Sequence, residues 1–234
     1  MTVFVGVLSG KGGVGKTTVA MNLATAFTSL GRKAVIVDAD LTSPDVSLLL
    51  GSPNLEPSSY DAIHGRISLR DAAYMHPSGL RIIPAKLHDA DHSDASFAKL
   101  SEKLSDLEGT VEVVIIDLPA GLNDSVRELL GRLSHAIIVL NPDMVSATSA
   151  LKSIRLCDDI GCDVAAIVLN KQGERKYEMT VPEIEAFLQR NVTAVIPHDV
   201  SVEESVCIKH PVVYSHPESR SAGSFLDLAR ILIG

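Results

Sequence analysis

The amino-acid sequence predicts an α/β fold in a single domain over residues 1–234: a mostly parallel sheet covered by helices on both faces. Three observations lead there. Short apolar, β-branched runs recur seven times, at 3–8, 34–37, 80–83, 111–116, 135–140, 164–169 and 192–196, and helix-like segments separate most of them. Alternation of this kind builds parallel sheets. Runs such as Val113-Val114-Ile115-Ile116 are apolar on both faces, as strands between two helical layers must be. The third observation is a glycine-rich loop placed where the first run hands over to a helix. Ligands of such sheets bind beyond the carboxyl ends of the strands.

The first run ends at Leu8, and residues 9–18 read Ser-Gly-Lys-Gly-Gly-Val-Gly-Lys-Thr-Thr. Gly10, Gly15, Lys16 and Thr17 satisfy the spacing G-x-x-x-x-G-K-[ST] of a phosphate-binding P-loop. The fold expected is therefore that of a P-loop NTPase. Backbone N–H groups across Gly10, Lys11, Gly12, Gly13, Val14, Gly15, Lys16, Thr17 and Thr18 are the candidates to wrap the phosphates. Lys16 would neutralise β- and γ-phosphate charge, and the Thr17 hydroxyl would ligate magnesium. Val19, Leu23, Ala24, Ala26, Phe27 and Leu30 recur at helical spacing before Gly31, which predicts a helix over 17–30 with its dipole on the anion. Lys11 is different. A phosphate cradle gives no reason for a second long cation inside the loop.

The second run ends in Asp38-Ala39-Asp40 and the fourth in Asp117, so three acids lie at the edge where the P-loop lies. Acids beside phosphates need magnesium between them, and Asp117 after four apolar residues has the form of a Walker B aspartate. Asp38 and Asp40 are two apart on an extended segment and point the same way. Asp38 joins Thr17 and Asp117 as a candidate for the magnesium shell, and Asp40 is the candidate to orient an attacking water. Such phosphoryl transfer needs positioning and charge neutralisation more than a strong base. Leu41 to Val46 and Asp117 to Gly121 are the two candidate switches, and a helix is expected from Asn123. Residues 52–65, rich in Ser, Pro, Asn and Gly, read as a surface loop. The run 164–169 ends in Asn170-Lys171-Gln172-Gly173, which begins like the guanine-reading N-K-x-D but has Gly in place of the acid. An Asn amide can donate to N7 and accept from N6 of adenine, so Asn170 favours ATP.

With 46% hydrophobic and 21% charged residues, the chain can bury one sizeable core, and no Pro/Gly/Ser linker divides it. The net charge of -8 argues against general attraction to nucleic acid or anionic lipid, and nucleic acid is not an expected partner. Cys157, Cys162 and Cys207 form no C-x-x-C pair, and the chain opens without a secretory signal pattern, which together predict a reducing cytoplasm. No apolar stretch approaches the ~20 residues needed to span a bilayer, so the protein is expected in the cytoplasm with at most peripheral membrane contact.

With Lys11, the aspartates and Asn170 in hand, the chain resembles the deviant Walker A ATPases of the MinD/ParA family, closest to their archaeal MinD branch. The resemblance runs through Gly10 to Thr18, Val37-Asp38-Ala39-Asp40-Leu41, Ile116-Asp117-Leu118-Pro119-Ala120-Gly121, Val195-Ile196-Pro197 and Pro217-Glu218-Ser219-Arg220. It implies a Mg-ATP-dependent homodimer that recruits a further protein partner and dissolves on hydrolysis. Lys11 would cross the interface to the partner subunit's phosphates while Lys16 serves its own. Asp40 would position the attacking water, and Asn170 with the Pro197 to Asp199 loop would form the adenine pocket. MinD proteins commonly carry a membrane-binding helix beyond the folded domain. Here Phe225, Leu226, Leu228, Ala229, Leu232 and Ile233 pattern a final helix with few basic residues nearby, which is expected to pack on the domain.

Three rival functions follow. A ParA-like partitioning ATPase would bind DNA as a dimer, but the sequence offers no clear basic track. Arg175 and Lys176, near Lys171 and Arg190, read as a solvated face. An Mrp-type iron–sulfur carrier would need paired cysteines, and a small-molecule kinase would need a second substrate site. His88 and His92, four apart, read as a solvated acidic helix start rather than a metal site. His210-Pro211 and His216-Pro217 read as turns.

Overall fold

The computed structural model describes residues 1–52, 55–86, 94–173 and 175–234, with the side chains of 94 and 95 excepted. Its strands are β1 (Val3–Leu8), β2 (Ala34–Asp38), β3 (Tyr74–Met75), β4 (Arg81–Ile83), β5 (Val113–Asp117), β6 (His135–Leu140), β7 (Asp163–Gln172) and β8 (Ala194–Pro197). They form one sheet in the order β3-β4-β2-β5-β1-β6-β7-β8. Every pairing is parallel except β3 with β4. From β1 the sheet extends through β5, β2 and β4 on one side and through β6, β7 and β8 on the other. The loop after β1 therefore lies at the switch point, where α/β sheets open a crevice for ligands.

The helices are α1 (Lys16–Ser29), α2 (Val46–Leu49), α3 (Ser59–Ile63), α4 (Asp94–Lys103), α5 (Asp124–Leu130), α6 (Met144–Ile160), α7 (Val181–Leu188), α8 (Val200–Cys207), α9 (Val212–Ser215) and α10 (Arg220–Ile233). Strand side chains alternate between two cores, as the period of two requires. Val35, Val37, Val114, Ile116, Ile138 and Leu140 face one core with Phe97, Leu100, Val126, Leu129, Ile154 and Ile184. Val5, Val7, Ile36, Ile115, Ile137 and Val139 face the other, closed by Leu23 and Phe27 of α1 and Phe225 and Leu228 of α10. Both faces of the central strands are buried, which is why those runs are continuously apolar.

The seven predicted runs are strands, with bounds shifted by up to three residues. β3 had no signal: a two-residue antiparallel edge piece is too short for periodicity to register. The reading of 52–65 as a loop throughout is corrected by α3. There Ser58 and Asp61 form a capping box, with Asp61 Oδ2 accepting the Ser58 N–H at 3.0 Å. Pro53 and Asn54 of that stretch lie outside the described residues, as do His88 and His92. The last patterned helix is α10, whose Phe225, Leu228 and Ala229 are buried against α1 and β8. Among the described residues, no helix is long and apolar enough to cross a membrane.

Candidate functional site

β1 delivers the chain to Ser9, whose hydroxyl donates to the Lys11 carbonyl at 3.0 Å, and α1 begins at Lys16. Gly13 and Gly15 take φ of 79° and 92°, where a side chain is strained. A Cβ on Gly15 would also run into the Asn170 amide, and one on Gly10 would stand 2.6 Å from the Ser149 carbonyl oxygen. The first turn of α1 carries no acidic residue and its N-terminus has no side-chain cap. Its leading N–H groups are therefore free for an anion.

The two lysines of the loop sit in opposite environments. Lys16 is buried, and its Nζ donates to Asp117 Oδ1 at 2.6 Å with Thr17 Oγ1 at 3.5 Å. Lys11 is exposed, and no described residue pairs with its ammonium. Parallel pairing of β2 with β5 sets Asp38 beside Asp117 in register. Both are fully buried. Burial, and then the Asp117 charge, pushes the Asp38 carboxyl well above the usual range. Burial raises Asp117 as well, against the opposing pull of Lys16. Two buried carboxylates beside one ammonium leave the site short of positive charge.

Asp38 also has a structural task. Its Oδ1 accepts the Asp40 N–H and its Oδ2 the Val46 N–H, each at 3.1 Å, tying segment 38–46 and the start of α2 to the sheet edge. Asp40, partly buried, accepts the Thr42 hydroxyl at 2.8 Å and the Ser43 N–H at 3.0 Å through Oδ1. Neither bond uses its Oδ2. Asp45 faces the same ground: burial raises its carboxyl while Lys16 lowers it.

A cavity beside the P-loop is lined by Gly15, Thr18, Asn170, Pro197, Asp199 and Phe225, so segments distant in sequence converge on it. Asn170 is 5% exposed, and its Nδ2 donates to the Val14 carbonyl at 2.8 Å. That bond leaves the amide oxygen as the acceptor an adenine N6 amine requires. Asp199 caps α8 by accepting the Ser201 N–H at 3.0 Å and takes the Ser221 N–H of α10 at 3.1 Å. Burial raises its carboxyl, but the Ser221 and Ser201 N–H groups outweigh that and hold it below the usual range. Two neighbours of the site had no separate sequence signal: Asn141 and the contact of Lys171 with the loop. Each depends on which strands lie side by side.

Residues 5–212 match the CobQ/CobB/MinD/ParA nucleotide binding domain. The chain is a MinD/ParA-family ATPase. An uncharacterised ATP-binding protein of Methanocaldococcus jannaschii is 32% identical to this ATPase over all of the chain and 89% of that protein. The solved cell division ATPase MinD of Pyrococcus furiosus superposes with a TM-score of 0.90 at 30% identity, covering 100% of this chain and 99% of that one. MinD of Pyrococcus horikoshii, solved with Mg-ADP, gives 0.88 at 32% identity over 98% and 95% of the two chains. An iron–sulfur cluster carrier of Helicobacter pylori is 28% identical over 96% of this ATPase, which spans 64% of that protein.

The ATPase site fits magnesium on its own chemistry. Asp117 Oδ2 is buried with no hydrogen-bond partner among the described residues, and the donors around it are hard oxygens. Among the described residues no cluster of three or more His, Cys, Asp or Glu forms an all-protein metal cage. Thr17, Asp117 and Asp38 are the residues that would hold the ion, which would supply positive charge to neutralise the phosphates. Lys16 would contribute the fixed ammonium, for which a phosphate in the loop would compete with Asp117.

Proposed function

We propose that this ATPase is a MinD-type switch: two copies associate with ATP between them, the dimer recruits a partner protein, and slow hydrolysis ends the association. The observation that carries the reading is the contrast between the two P-loop lysines. Lys16 is spent on its own site, whereas Lys11 is exposed and has no partner among the described residues, in a loop built for anions. An ammonium held there without a local counter-charge suits the phosphates of a second subunit. Asp40 orients the attacking water, since its Oδ2 is not committed to the 40–43 turn. The adenine lies against Asn170 and the Pro197 to Asp199 loop, near Phe225. The iron–sulfur reading is disfavoured by the cysteines: Cys157 and Cys162 are buried, which leaves Cys207 as the exposed one.

The experiment is the solution mass of Asp40→Ala by light scattering with Mg-ATP and with Mg-ADP. A dimer with ATP alone is expected, and Lys11→Ala should abolish it while still binding nucleotide. A monomer with ATP bound, or a dimer with either nucleotide, would sink the switch.

A further inference from the structure

Asn170 and Lys171 are consecutive near the end of β7, and consecutive side chains of a regular strand point to opposite faces. Here both reach the P-loop. Asn170 Nδ2 donates to the Val14 carbonyl at 2.8 Å, and Lys171 Nζ donates to the Gly13 carbonyl at 3.2 Å. The backbone makes this possible: Lys171 has φ of 59°, and the pairing of β7 with β8 shifts register between Leu169 and Gln172. That conformation is strained for a residue with a side chain. Asn141, just past β6, completes the grip. With its amide oriented by its partners, Nδ2 donates to the Val14 carbonyl at 3.1 Å and to the Asn170 carbonyl at 3.2 Å.

A trans peptide unit is planar with its C=O and N–H pointing opposite ways. Fixing the Gly13 and Val14 carbonyls from outside therefore aims the Val14 and Gly15 N–H groups into the cradle. We infer that Lys171 is a positioning residue of the nucleotide site, whose ammonium and left-handed backbone lock those two peptides toward the phosphates. The same residue lines the cavity assigned to the base. Base and phosphate recognition thus meet in one residue. A glycine at 171 would adopt this φ without strain and lose the ammonium; the chain keeps the lysine.

The inference rests on the nucleotide reading of the site, and it is tested with Lys171→Met, Lys171→Gly and Lys171→Arg in the full chain. Mg-ATP affinity and nucleotide-free melting temperature are measured for each. Met and Gly should weaken Mg-ATP binding by roughly five- to tenfold, as for loss of a charged donor near the surface. Arg should restore it. Gly should melt no lower than the parent, because the backbone strain is gone while the grip is lost. Unchanged affinity in Met and Gly would overturn the inference, and so would affinity that falls only in step with melting temperature. These outcomes are separate from those of the switch: an Asp40→Ala chain that never dimerises would remove that reading and leave the Lys171 result standing.

Discussion

Lys11 and Lys16 share one loop, yet only their surroundings separate their roles. Lys16 lies between Asp117 and Thr17 below the surface, so Lys16→Ala removes the ammonium proposed to meet the phosphates and strands a buried carboxylate. Near neutral pH it should lose tight nucleotide binding and about 3 kcal/mol of stability, measurable by nucleotide titration and urea unfolding. Wild-type ATP affinity in that variant would refute the phosphate assignment. Gly10 is constrained by contact rather than by φ. Its missing Cβ leaves room for the Ser149 carbonyl of α6, so Gly10→Ala should push loop and helix apart. A cost of about 1–3 kcal/mol with weakened nucleotide binding is expected, and stability equal to wild type would show that the close approach is not needed. The motif spacing identified both residues, but their neighbours belong to β5 and α6, more than a hundred positions away in the sequence.

At the scale of elements, α10 serves two ends. Phe225 is 1% exposed, closes the core over α1 and β8, and lines the cavity proposed for the base. Phe225→Ala should cost about 3–5 kcal/mol and lower ATP affinity together with the melting temperature; a stable variant with intact binding would mean the cavity closes without it. The helical pattern of 225–233 announced the element and its apolar face. Its partners were not readable, because many faces in an α/β chain are equally apolar. The turn at His210-Pro211 shows the same limit. His210 Nδ1 lies 3.0 Å from Nε2 of His76, which is buried at the end of β3, and the two rings pack with Tyr214. Burial, and then His210, lowers the His76 imidazole below its ordinary value of about 6.5. Between the lowered value and about 6.5 the unfolded chain binds more protons, so stability rises with pH through that window and is lost as pH falls through it. Thermal unfolding from pH 7.5 to 5.5 should show a steeper loss in wild type than in His76→Gln. Equal slopes would mean that burial of His76 does not disfavour its charged form.

At the scale of the whole molecule, the acids, the P-loop and the cavity proposed for the base lie along one edge of a sheet that α1 and α10 cover on one face and α4 to α7 on the other. Mg-ATP should therefore stabilise the entire fold, by about 2.7 kcal/mol at a hundredfold excess over the dissociation constant. A melting temperature indifferent to Mg-ATP would contradict the placement of the site across β1, β5 and β7. With a net charge of -8, retention on DNA at physiological salt is not expected. Binding that falls steeply with added salt would instead favour the partitioning rival.

The architecture and the phosphate loop were legible in the chain itself, because both are written in local order. Apolar runs of strand length, helical periodicity and the G-x-x-x-x-G-K-T spacing each lie within a few turns of backbone. Asp117 and Asn170 were legible for the same reason, as polar residues ending apolar runs. The tertiary structure alone decided which strands are neighbours, and with them the pairing of Lys16 with Asp117 and the grip of Asn141 and Lys171 on the loop. Those contacts join residues whose proximity comes from sheet order, and sheet order is set by how two whole cores fill, a property no single segment carries.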